Sequence, residues 1–181
     1  MGMTFCIKGF SLEIHYRGGI VRAVEKPTFP LAVVTQRRPA QSRWADSIWE
    51  LHGVVPDPGG ATRLLRDDGA FVQWLHPGFK LVLHRDETEG YYLNVSGAQP
   101  RVFVLWRMEE GESGQPNALP LDVTVSFDEA GRWMDGGHSV DGVAMPAAVF
   151  AWVGDYVEKN YRPEPKQRIK PRSFQHPKDR R

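Results

Sequence analysis

Tyr91–Met108 reads YYLNVSGAQPRVFVLWRM, two β-rich runs, YYLNV and RVFVLWRM, on either side of the loop residues SGAQP. Tyrosine, valine and phenylalanine suit a pleated, half-buried surface, and Gly97 and Pro100 interrupt the pattern between them. An antiparallel hairpin is the economical reading, and it commits the chain to a sheet built from strands adjacent in sequence.

The segments upstream extend that sheet. In FVQWLHPGFKLVLHR, Phe71–Arg85, strand material flanks a Pro77–Gly78 turn signal, and Phe79, Leu81 and Leu83 alternate with Lys80, Val82 and His84, setting one apolar row on a core. RDDGA before it reads as a tight turn after a short strand at Leu64–Leu65. FPLAVVTQRR, Phe29–Arg38, is a further strand, opening with Pro30 where proline is tolerated. Ile48, Trp49, Leu51, Val54 and Val55 mark the next one, closed by the loop PDPGGA. At the start, FSLEIHY alternates strictly and RGG separates it from IVRAV, so residues 1–28 are a hairpin or a loosely attached extension.

Downstream, EEGESGQPNA is an exposed loop and LPLDVTV a strand, and then the period changes. In SFDEAGRWMDGG, Ser126 is placed to cap a short helix, Glu129 completes a capping box and Gly136–Gly137 stop it. In MPAAVFAWVGDYVEKNY, Pro146 falls in the first turn, and Val149, Trp152, Val153, Tyr156 and Val157 form one apolar face. The expected fold is therefore α+β: a twisted antiparallel sheet with a short and a longer C-terminal helix packed on it, in one domain over residues 29–161.

The 181 residues carry a net charge of +1, unevenly distributed. Residues 162–181 hold eight Lys or Arg against two Asp or Glu, a tail of +6, leaving residues 1–161 at −5. Four prolines and no core-forming period mark this tail as solvated. It attracts anions at long range, but it has no RNA-recognition signature, so nucleic-acid contact ranks below an inert tail or an acidic protein partner. The single cysteine, Cys6, excludes an intramolecular disulfide and any cysteine-based metal cage, and suits a reducing compartment. No run approaches the roughly 18 apolar residues of a membrane span, so a cytoplasmic location is expected.

Chemistry is sparse in this pattern. HRDETEGYYLNVSG, His84–Gly97, gathers His84, Arg85, Asp86, Glu87 and Glu89, residue types used in acid–base and oxygen-ligand sites. Strand alternation divides them between two faces, however, and favours a charged hairpin end over a catalytic or recognition surface. The six histidines show no pair at helical ligand spacing, no serine sits in a Gly-x-Ser-x-Gly elbow, and no glycine loop has phosphate-binding spacing. No catalytic residue, metal or cofactor is expected. Of the six tryptophans, Trp44 flanks the charged ADS segment and is a candidate for a contact surface.

Five segments together, FPLAVVTQRR with WADSIWE, HRDETEGYYLNV, PRVFVLWRM, VTVSFDEAGRWMDGG and VDGVAMPAAVFAWVGDYVEKNY, resemble a family of uncharacterised proteobacterial proteins. Genes of that family typically lie beside those of molybdenum-dependent formate dehydrogenases, and its members are often labelled molybdopterin-guanine dinucleotide biosynthesis proteins. The resemblance covers about Phe29–Tyr161. It implies a non-catalytic accessory or maturation protein that binds a formate dehydrogenase subunit or its maturation factors. On that reading the partner surface is Arg85, Glu87, Glu89, Tyr91 and Trp44. The alternative it implies is a molybdenum-cofactor or guanine-nucleotide binding protein or enzyme, for which Arg37, Arg38, Arg85, Arg101 and Arg107 would line a basic pocket. A regulator contacting nucleic acid through the tail is a third expectation.

Overall fold

The computed structural model describes residues 13–16, 19–22, 26–42, 44–110 and 116–163. Cys6, His176 and the basic tail beyond Pro163 lie outside them. The chain opens with β1 (Glu13–Tyr16) and β2 (Gly19–Arg22), which pair antiparallel, so the alternation of that segment ends in a hairpin.

The centre of the fold is β3 (Thr28–Ser42), which pairs antiparallel with β4 (Ala45–Pro56) on one side and β6 (Val72–Val82) on the other. Leu31 to Gln36 are buried without interruption: Leu31–Val34 are the apolar run of an inner strand, and Thr35 and Gln36 are bonded to His76 and Glu50. β5 (Arg63–Asp67) adds to the far side of β6, giving the order β4-β3-β6-β5. Since β4 and β5 stand at opposite edges, residues 57–62 must cross from one to the other. Asp57 anchors the departure: its N–H donates to Pro30 O (3.2 Å), and its carboxylate accepts from Gly59 N (2.8 Å) and Gly78 N (3.0 Å). Pro77–Gly78, expected as a turn, is instead an irregularity within a continuous β6. Gly78 has φ 96°, and the register against β3 shifts between Leu31 and Val33, so the proline and glycine are absorbed by a bulge.

A second sheet, ordered β8-β7-β9, consists of β7 (Arg101–Glu110), β8 (Pro116–Thr124) and β9 (Ser139–Ala144). β4 lies against β9 and β6 against β8, so the two sheets meet over one core. Leu31, Val33, Val54, Leu81 and Leu83 from the first sheet close on Val102, Val104, Val123 and Val143 from the second. At about 1.5–3 kcal/mol for each fully buried large aliphatic side chain, this layer is the main source of stability. The α+β class and the antiparallel pairing stand as expected, but, the β1–β2 hairpin aside, the described strands divide between two sheets.

Among the described residues three helices complete the fold: α1 (Thr88–Val95), α2 (Phe127–Asp135) and α3 (Ala147–Asn160). The last two are those read from the sequence. α3 buries Val149, Val153 and Val157 in the common core, while α2 packs against β7 and β9, where Phe127 meets Phe103 edge-on at 5.0 Å. The first helix corrects the opening expectation. YYLNV is not a strand paired with RVFVLWRM; it is the second half of α1, and β7 takes β8 and β9 as partners.

Candidate interaction surface

The charged stretch His84–Gly97 is built around a turn and α1. Thr88 starts the helix, its hydroxyl donating to Arg85 O at 2.5 Å, a local bond that tightens the turn through Asp86 and Glu87. From there the side chains part. Arg85, Asp86 and Glu89 are exposed. Glu87 turns inward and accepts from Ser126 Oγ (2.6 Å) and from the Arg132 guanidinium (2.5 Å). The same contact raises the Arg132 pKa.

Glu87 thereby joins α1 to the cap of α2. Ser126 Oγ accepts from Glu129 N (3.1 Å), which is the first half of the expected capping box. The second half runs through an extra residue: Ser126 N donates to Thr124 Oγ1 (3.1 Å), and Thr124 Oγ1 donates to Glu129 Oε2 (2.5 Å). Gly90 permits the approach, because a Cβ there would stand 2.4 Å from Ser126 Oγ. On the other side of α1, buried Asn94 donates to Arg101 O (2.7 Å) and Val125 O (2.8 Å) and accepts from Arg101 N (2.9 Å).

Tyr91 is 1% exposed and belongs to the core, not to a surface. Its hydroxyl accepts from His84 N at 3.1 Å, and its ring meets Tyr156 edge-on at 6.2 Å. Burial pushes its pKa up to about 12. Of the five residues proposed for partner contact, Tyr91 is therefore structural, Glu87 is occupied by α2, and Arg85, Glu89 and Trp44 are exposed. The hydrogen bonds of Glu87 with Ser126 and Arg132, and those of Asn94, were not legible as a group, because they join residues 7 to 45 positions apart.

The arginines proposed as a basic pocket are spread over the fold. Arg37 and Arg38 are consecutive on β3 and so face opposite sides of the sheet. Arg38 donates to Glu50 (2.7 Å), Arg101 to Gly142 O (2.8 Å) and Gln99 (3.0 Å), and Arg107 to Glu109 (2.8 Å). Among the described residues no group of three or more His, Cys, Asp or Glu is arranged to hold a metal ion. His76, bonded to Thr35 Oγ1 at 3.0 Å, has its pKa lowered by burial.

The most exposed aromatic side chain among the described residues stands between β3 and β4. β3 pairs with β6 as far as Arg37↔Val72, and beyond that point, among the described strands, it pairs with β4 alone, through Pro39↔Ser47 and Ser42↔Ala45. The result is a two-stranded arm, with Trp44 at its turn, 89% exposed, and Ile48 exposed along its length. Single exposed hydrophobics are ordinary; a tryptophan at the end of a projecting ribbon is the kind of group that anchors interfaces.

No helix among the described residues is long and apolar enough to cross a membrane. No curated protein and no solved structure matches the chain. A family model described as "Protein of unknown function (DUF3305)" matches residues 30–170, which takes in both sheets and all three helices. The chain belongs to the DUF3305 family.

Proposed function

We propose that the protein is an accessory factor that acts by binding another protein, and that its partner is a subunit or maturation factor of a molybdenum-dependent formate dehydrogenase. The observation carrying the binding mode is the arm with Trp44 at its tip, 89% exposed. The resemblance over Phe29–Tyr161 supports the choice of partner. Arg85 and Glu89 supply a second, charged contact on the exposed side of α1 and its turn. A cytoplasmic location belongs to the same reading, since a lone cysteine, Cys6, suits a reducing compartment.

The test is capture of partners from native cells by the tagged full chain, followed by mass spectrometry, with wild type beside Trp44→Ala and Arg85→Ala/Glu89→Ala. Formate dehydrogenase polypeptides or their maturation factors should be captured by wild type, and at least about tenfold less by Trp44→Ala at unchanged melting temperature. A deletion strain with normal formate dehydrogenase activity, cofactor content and subunit assembly would sink the reading. Heat released on titrating guanine nucleotide or isolated cofactor into the protein would move it to cofactor handling.

A further inference from the structure

Two strands alone are a weak support for a fixed contact. An isolated two-stranded hairpin is marginal in water, and such ribbons twist more than a broad sheet does. The arm begins where β3 parts from β6, after Arg37↔Val72, and its first pair is Arg38↔Ile48. At that root a chain of side-chain hydrogen bonds crosses three strands. Gln73 on β6, Gln36 on β3 and Glu50 on β4 stand opposite one another in the register. Gln73 Nε2 donates to Gln36 Oε1 (2.6 Å), Gln36 Nε2 donates to Glu50 Oε1 (3.1 Å), and Arg38 Nε donates to Glu50 Oε2 (2.7 Å). The last bond is diagonal. It ties the first residue of the arm back to the last row of the sheet on that face.

By strand alternation Gln36 and Arg38 lie on the same side of β3 as Ala32 and Val34, opposite to Leu31 and Val33 of the common core. On that side Ala32, Val34 and Leu75 form a small buried cluster of their own, and the polar chain starts one row beyond Val34↔Leu75. Hydrogen bonds therefore take over where apolar packing stops. Gln36, 8% exposed, uses both its amide oxygen and its amide nitrogen, and Glu50 uses both carboxylate oxygens. We propose that Gln73, Gln36, Glu50 and Arg38 lock the arm to the sheet, so that the end carrying Trp44 is presented in one fixed direction.

These four are positioning residues, which act on binding through the arm and need touch no partner. Each bond polarises the next along the chain, and the bond that reaches the arm is charge-assisted, the stronger kind. A contact group already held in its bound orientation loses less freedom on association. The use of the lock rests on the reading of the arm as the binding element. Its existence is measured without any partner, so the two readings fail separately.

Hydrogen exchange of the full chain, followed by NMR, decides it, with the arm amides of Arg38, Ser47 and Ile48 read beside the sheet-centre amides of Leu31–Val34. Gln36→Glu sets two carboxylates face to face in the middle of the chain, and the arm amides should exchange at least about tenfold faster than in wild type. Gln36→Glu/Glu50→Gln restores a donor for every acceptor, with the middle bond now running from position 50 to position 36. Its arm should exchange at least about threefold more slowly than that of Gln36→Glu. Arg38→Met keeps the packing of the stem, removes the diagonal tie and leaves the buried row intact, so it does not depend on how well the sheet tolerates a change at position 36. It too should speed arm exchange at least about tenfold, with the sheet-centre amides and the melting temperature unchanged. A wild-type arm that exchanges as fast as unstructured chain, an Arg38→Met arm that exchanges as wild type does, a double variant no slower than Gln36→Glu, or an Arg38→Met acceleration shared equally by Leu31–Val34 would each overturn the proposal.

Discussion

Asn94 meets three backbone groups, two at the start of β7 and one just past β8. Its amide gives two hydrogen bonds and receives one, fixing α1 to the start of β7 and to Val125 beyond β8. Asn94→Ala should cost about 2–4 kcal/mol, because the Arg101 N–H and the facing carbonyls are left in a site too closed for easy hydration. Leu93→Ala, one position earlier and exposed, should stay within about 0.5 kcal/mol, and urea denaturation of both measures the contrast. Tyr91 gives a prediction in pH. Its pKa rises from 10.0 to about 12, chiefly through burial, so the folded state holds the phenolic proton more tightly than the unfolded state does. Its contribution is fully present below pH 10 and declines as pH rises toward 12, because the unfolded chain ionises first. Tyr91→Phe should remove that part of the alkaline loss; a fall in melting temperature with the same slope as wild type between pH 10 and 12 would refute the assignment.

At the scale of elements, α1 and α2 are held by a close approach rather than by apolar area. A Cβ at Gly90 would meet Ser126 Oγ at 2.4 Å and Asp128 Oδ2 at 3.2 Å. Gly90→Ala should therefore destabilise by about 1–3 kcal/mol, although alanine favours a helix. Ser126→Ala removes the α2 cap and should cost about 1–2 kcal/mol. The double variant should cost less than the sum of the two, since the nearest obstructing atom is gone; strict additivity in a denaturation cycle would show that the two helices do not press on each other there. The same pair of helices shows how far a sequence reading reaches. α2 was legible because its cap, Ser126, and its stop, Gly136–Gly137, are local signals. α1 was not, because two tyrosines and a valine have strand preferences that tertiary packing overrides. A helix signal was nevertheless present: Thr88, Tyr91 and Asn94 recur at spacings of three on the buried face, glutamates stand at its start, and Ser96-Gly97 at its end. Pro77–Gly78 failed as a turn for a related reason, since a bulge and a turn use the same residue types and only the partner strand distinguishes them. In the candidate surface, the charged neighbours of Trp44 marked it only as a candidate for exposure, whereas burial of Tyr91 depended on α3, more than 50 positions away.

At the scale of the molecule, one core is shared by elements from both ends of the described chain. Leu31 and Val33 on β3 lie in the same cluster as Val149, Val153 and Val157 on α3. Removing 147–163 should therefore not give a stable, shortened domain. The expected product keeps strand content by circular dichroism, binds a hydrophobic dye and lacks a cooperative melt; a sharp, near-native transition would show that the sheets close without α3.

The position of α3 also gives the protein a direction in time. During synthesis β3 leaves the ribosome early, while the valines that cover part of its inner face follow more than 100 residues later. At roughly 5–20 residues per second, that interval lasts several seconds, during which the apolar face of the first sheet has only incomplete cover. Messages broken within α3 would yield chains that carry both sheets and lack the seal, the form most readily recognised by chaperones and proteases.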